Sequence, residues 1–214
     1  GRLDEAESKL RAASGWLRQT GNREQLADQQ VAQGEIYLAQ GNPHAAREVI
    51  GRGLEQARAS HSRAAILRAE IARGAARVAV GEAAAAEPEI ESTLRAADAL
   101  GDVVLRIRAA EALAEAQLQL SRLRPAEGSV RRALRLAERC GFEAGLYRLH
   151  GMLGRILERR GDAGGAAVAY RESARRIARL RDGMSPDQQT AFGSVAAVRD
   201  AEAWVTAHPV TAVR

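Results

Sequence analysis

At 214 residues, 46% hydrophobic and 28% charged, the chain is long enough for one ordinary domain or a short solenoid. Its 3% aromatic content and 5 prolines speak against an aromatic-rich or sheet-based core, and charges interrupt every apolar stretch before membrane-spanning length. One cysteine, Cys140, excludes an intramolecular disulfide and fits a reducing compartment; no charged-then-apolar leader opens the sequence, so a cytoplasmic location is expected.

In chain order, residues 1–20 read as half a repeat, as if cut from a longer polypeptide, and four units follow at about 21–60, 61–100, 101–140 and 141–182. The register is set by Ala6, Ala46, Ala86, Ala126 and Ala166, forty residues apart. Four residues after each alanine comes an apolar side chain (Leu10, Ile50, Ile90, Val130, Tyr170). Three further on comes a small one (Ala13, Gly53, Thr93, Ala133, Ser173). Breakers fall at Gly21, Gly41, His61, Gly81, Gly101, Ser121, Gly141 and Gly161, leaving room between them for helices of about four to five turns. Asn42-Pro43 reads as a cap followed by proline in the first turn, and Gly161-Asp162 as a similar start.

The apolar spacing of four, three and four in Ala46-Ile50-Gly53-Leu54-Ala57 and Ala126-Val130-Ala133-Leu134-Ala137 draws one stripe along each second helix. First helices carry a small residue at Gly34, Gly74, Ala114 and Gly154, where a close helix crossing would offset the cost of a mid-helix glycine. Pro88 falls inside the second helix of its unit. A late start near Glu87-Pro88 is expected there, with Ala86 near the boundary. After Asp182 the beat stops. Ser185-Pro186-Asp187-Gln188 reads as a cap, and Phe192, Val195, Val198 and Trp204 give an apolar face. Residues 183–207 are therefore expected to form a closing helix or helices, with 208–214 a frayed tail.

The order Gly34, Tyr37, Gly41-Asn42, Ala46, Ile50, Gly53-Leu54 resembles a tetratricopeptide repeat, as does Gly154, Gly161-Asp162, Ala166, Tyr170 with Ser173 and Ala174. The period is forty residues here against the usual thirty-four or so. The aromatic after the first-helix glycine is kept only at Tyr37, its equivalents being Arg77, Gln117 and Leu157. The long-helix form is similar to arrays attached to bacterial signalling ATPases, kinases and regulators. The resemblance implies an all-α, right-handed superhelical solenoid of antiparallel hairpins. It also implies a concave groove lined by first helices that holds a peptide or a neighbouring domain. The family's carboxylate-clamp lysine position holds Val31, Ile71, Glu111 and Gly151, so a clamp for peptide C-termini is not expected.

Residues 101–182 carry 17 basic side chains against 10 acidic, whereas residues 1–100 are balanced at 13 against 14. Arg68, Arg108 and Arg148 lie one unit apart on successive first helices, and Arg155 and Arg159 continue that face. By the resemblance this ladder faces a bound partner. Guanidinium forks suit an acidic or phosphorylated segment. The alternative is that these arginines pair with Glu70, Glu111, Glu115 or Glu158 between neighbouring helices, or simply point into water.

A pI near 10.2 opens a second reading, a nucleic-acid-binding repeat using the arginine-rich half. Interleaved acids and scarce aromatics weigh against it. Oligomers through repeat ends are a further option. His44, His61, His150 and His208 are scattered and read as solvated surface residues; no metal or cofactor motif appears. Cys140, beside Arg139 at a helix end, reads as a half-buried thiol. Gly161-Asp162-Ala163-Gly164-Gly165 lacks the lysine of a phosphate loop, and no acid–base pair indicates catalysis, so the chain itself is not expected to be an enzyme.

Overall fold

A computed structural model of the chain describes residues 21–208 except Ser194, together with Lys9, Gly15 and Leu17. Of the expected half repeat at 1–20 only those three residues are described, and the tail beyond His208 lies outside the described residues. The described segments are helical, with no strand among them. The helices are α1 (Arg23–Ala39), α2 (Pro43–Ser60), α3 (Arg63–Ala79), α4 (Ala83–Leu100), α5 (Val103–Gln119), α6 (Leu123–Cys140), α7 (Glu143–Arg159), α8 (Ala163–Asp182), α9 (Pro186–Gly193) and α10 (Ala196–Ala207). Two compact units result, Gly1–Arg122 and Leu123–Arg214.

All eight breakers have positive φ, and they are the residues that do so among those described. Six are glycines; His61 and Ser121 adopt the same left-handed conformation at φ 58°. Each turn from a first to a second helix is a Schellman closure. The amide of the residue after the breaker bonds back five residues: Asn42 to Tyr37 O (2.8 Å), Glu82 to Arg77 O (2.9 Å), Arg122 to Gln117 O (2.8 Å) and Asp162 to Leu157 O (2.9 Å). Asn42 and Asp162 then cap the next helix, Asn42 Oδ1 accepting from Ala45 N (3.3 Å) and Asp162 Oδ1 from Gly165 N (2.8 Å), with Pro43 in the first turn. Ser62 and Asp102 cap α3 and α5 in the same way.

In the N-terminal unit each helix packs on the next, and the first helices α1, α3 and α5 also form a row of their own. The glycines explain the closeness of the hairpins. A Cβ on Gly74 would lie 2.5 Å from Ile90 Cγ1, and one on Gly34 would overlap the Ile50 side chain. Ile50 and Ile90 are buried, as are Ala46, Ala57, Ala69 and Ala86, so small side chains let the backbones meet around one branched apolar residue per hairpin. Burying each isoleucine is worth about 2–3 kcal/mol.

The expected late start of the second helix around Pro88 is not what forms. α4 begins at Ala83 and runs through Pro88. Pro88 and Ala84 are both exposed. Proline removes the donor for the Ala84 carbonyl, and that carbonyl lies on the solvated side, where water replaces the lost bond. Ala86 is consequently deep in the helix and fully buried.

In the C-terminal unit α7 packs on α6 and α8, and α10 lies against α8 and α7. Here Tyr170 fills the place opposite the glycine; a Cβ on Gly154 would stand 2.9 Å from its ring. Ser185 and Gln188 form a reciprocal capping box at α9 (Gln188 N to Ser185 Oγ 3.4 Å, Ser185 N to Gln188 Oε1 2.8 Å). Tyr147, Ile177, Val198 and Ala201 form the core beneath α10.

Candidate functional site

Arg68 on α3 and Arg108 on α5 both belong to the first-helix row of the N-terminal unit, half-buried by their neighbours. Arg68 pairs with Asp28 on α1. Arg108 reaches past α3 to α1, where its Nη1 donates to Glu35 Oε1 at 2.7 Å. Neither carboxylate is among the four named as alternatives from the sequence; Glu70 instead lies 3.9 Å from Arg58. The physical reason is register. Asp28 occupies in the first unit the phase that Arg68 and Arg108 occupy in the next two, so equal heights on adjacent helices bring opposite charges together. Glu35 can be reached across α3 because the same phase of that helix carries Ala75.

These pairs are accessible, with Arg108 and Glu35 side chains 31% and 44% exposed. Solvent screening holds such a pair to about 0–1 kcal/mol. An incoming carboxylate or phosphate therefore competes with Asp28 and Glu35 at small cost, and the guanidinium fork can bind it in bidentate fashion.

Arg148, Arg155 and Arg159 sit on α7 of the C-terminal unit, the first two half-buried and Arg159 exposed; each is engaged in polar or electrostatic interactions. Arg155 lies close enough to Tyr170 to act on its hydroxyl, but burial and Glu158 prevail and push that group above its ordinary range. The hydroxyl donates to Glu158 Oε2 at 3.2 Å.

One charged cluster escaped the sequence reading. Arg77 Nε donates to Glu82 Oε2 (2.8 Å) and its Nη1 to Glu89 Oε1 (2.5 Å), while Arg47 also reaches Glu82 (2.7 Å) and Arg73 reaches Glu89 (3.2 Å). Hydrogen bonding to Glu82 and Glu89 raises the Arg77 guanidinium further, and Arg77 holds the Glu82 carboxyl below its usual range. The available signal was Arg77 itself, a cation at the aromatic phase of the repeat.

His150 departs from the surface reading. It is half-buried, and its Nε2 is buried with no hydrogen-bond partner. Cys140 is exposed, not half-buried; its Sγ lies 3.6 Å from Ala137 O. Among the described residues no group of three or more His, Cys, Asp or Glu side chains could hold a metal, and no helix is long and apolar enough to cross a membrane.

These features are those of a tetratricopeptide-like fold, antiparallel helical hairpins with arginines on their first helices. No protein-family model matches the sequence, and no curated protein does. Solved structures do. The chain is similar to a Rap protein complexed with competence and sporulation factor (TM-score 0.76, 16% identity, covering 96% of this chain and 60% of that one). It is similar also to the Rap conjugation gene regulator of plasmid pLS20 in complex with the Phr* peptide (TM-score 0.72, 15% identity, 97% and 59%). The TPR domain of Arabidopsis FLU matches over 56% of this chain and 99% of its own (TM-score 0.51, 21% identity). The chain thus spans about 60% of the length of these two Rap proteins. At these identities the likeness is one of fold.

Proposed function

We propose that the chain is a protein-interaction module, not itself catalytic, that holds an acidic or phosphorylated peptide or a neighbouring domain along its first-helix faces. Arg68 and Arg108 are the anchors in the N-terminal unit, and Arg148, Arg155 and Arg159 are the corresponding set in the C-terminal one. In this reading residues 1–182 are the binding array, 183–207 close its end, and the whole serves as the sensor or regulatory arm of a larger cytoplasmic bacterial signalling protein. The observation that carries it is the Arg108–Glu35 pair, an intramolecular carboxylate held weakly where an external one would sit. A fold shared with a Rap regulator complexed with the Phr* peptide supports a peptide as the occupant.

Panning a random-peptide library tests the reading. Wild-type protein should select acidic sequences, and the double variant Arg68→Gln/Arg108→Gln, with unchanged helicity, should lose them. Selection of neutral or basic peptides, or equal binding by the double variant, refutes it.

A further inference from the structure

The second-helix side of the C-terminal unit carries a groove of about 590 Å³ between α6 and α8, with α7 as its floor. Arg131 and Arg135 stand on the α6 wall, Arg171 and Arg175 on the α8 wall, each pair one turn (about 6 Å) apart. Leu153 and Leu157 of α7 make the floor apolar, and Val168 on the α8 wall is 67% exposed, the most exposed of the large apolar residues described. The His150 Nε2 atom, buried and unpartnered, belongs to the same groove.

Its charge is only partly neutralised from within: Glu138 and Glu172 line the groove with the four arginines, which leaves a net positive charge. Arg131 bonds Glu127 at 2.8 Å and Arg175 pairs with Glu172, but Arg135 and Arg171, one on each wall, have no carboxylate partner among the described residues. The concentration of charge is specific to this unit. The same two phases of the earlier second helices hold Gly51, Glu55, Glu91 and Arg95, where the C-terminal unit holds four arginines.

We propose that this groove is a second docking site, distinct from the first-helix face, for an acidic amphipathic helix of a partner protein. The partner's apolar stripe lies on Leu153, Leu157 and Val168. Glutamates or aspartates spaced i, i+4 on its flanks meet the two arginine pairs, whose one-turn separation matches that spacing. The apolar floor favours a protein over a nucleic acid, since phosphate backbones would leave Val168 and the leucines unused and the groove offers no aromatic for base stacking.

The experiment uses the full chain and a fluorescein-labelled peptide of about five helical turns, with leucines at i, i+3 and i+7 and flanking glutamates. Fluorescence anisotropy should report saturable binding, weakened roughly tenfold or more by Arg135→Glu/Arg171→Glu and measurably by Val168→Asp. Arg135→Glu/Arg171→Glu should cause the same loss when made on the Arg68→Gln/Arg108→Gln background, which separates this site from the first-helix face. Circular dichroism checks that each variant keeps its helicity. Binding no better than that of a scrambled peptide of equal charge, or insensitive to Arg135→Glu/Arg171→Glu, overturns the proposal. So does tighter binding of single-stranded DNA than of the peptide, or concentration-dependent dimerisation abolished by the same double variant.

Discussion

The two units use one hairpin plan and put different residues opposite its glycine. In the N-terminal unit the partner is isoleucine, Ile50 against Gly34 and Ile90 against Gly74, and the side chain ends in the core. In the C-terminal unit it is Tyr170 against Gly154. A tyrosine is longer than the seam needs, so its far end emerges. The hydroxyl reaches Glu158, and the ring stacks on Trp204 of α10 with centroids 4.8 Å apart; Trp204 in turn stacks on His208 at 4.2 Å. The repeat phase dictates where backbones approach, while the residue filling that phase decides whether the contact stops at the core or holds another element.

Removing that residue from each unit should separate the two roles, with the largest effect in the C-terminal one. Tyr170→Ala should cost about 3–5 kcal/mol in urea unfolding and release the amides of α10 to hydrogen exchange. Ile50→Ala should cost about 2–5 kcal/mol and leave α10 protection unchanged. If α10 stays equally protected in Tyr170→Ala, the stack on Trp204 is not what holds it.

The glycine side of the seam gives a smaller and more selective effect. Gly34→Ala places a methyl where Ile50 already stands and should cost about 1–3 kcal/mol, although alanine is the better helix former. Adding Ile50→Val should return part of the loss, because the two residues share one space and their effects cannot be additive. A double variant no more stable than Gly34→Ala alone would mean the seam tightens through backbone contact instead.

Left-handed turns come next in size. His61→Gly and Ser121→Gly should each gain about 0.5–1 kcal/mol, since an L side chain at φ 58° carries strain that glycine lacks, partly offset by glycine's freer unfolded chain. Gly101→Ala should lose about 1 kcal/mol by the reverse exchange. Thermal melts of the three variants decide it.

How far the sequence reveals this molecule follows from the same contrast. Turn positions and glycine seams are legible because steric rules act on single residues at fixed spacing, so His61 and Ser121 could be placed among glycines without a glycine signature. Pro88 misleads because its effect depends on which way the Ala84 carbonyl points, a matter of rotation about the helix that exposure settles and spacing does not. Arg68 and Arg108 could be placed on first helices, but not their partners. Asp28 and Glu35 become neighbours only when helices stack at equal height, and Glu35 only because Ala75 leaves the way clear. The groove of the C-terminal unit was hidden for a related reason: Arg131, Arg135, Arg171 and Arg175 look like four more charges on polar faces until α6 and α8 stand side by side.

The smallest effect should be a pH response confined to the C-terminal unit. In the N-terminal unit His44 and His61 are exposed, whereas His150 on α7 is half-buried. Burial lowers its pKa below 6.5; Glu172 opposes that shift, Arg176 reinforces it and Glu138 opposes it. The folded chain therefore resists a proton that the unfolded chain accepts. Stability should be fully present above about pH 6.5 and fall as the pH drops from there through the folded value. The Glu172 carboxyl does not confuse this window. Burial is the largest influence and would raise its pKa, but the Arg176 hydrogen bond and the charges of Arg175, Arg176 and His150 together outweigh it, so it titrates below its ordinary 4.5. Urea midpoints measured between about pH 7.5 and 5.5 should decline in the wild type and flatten in His150→Gln. An equal decline in both proteins would place the response elsewhere and remove His150 as its source.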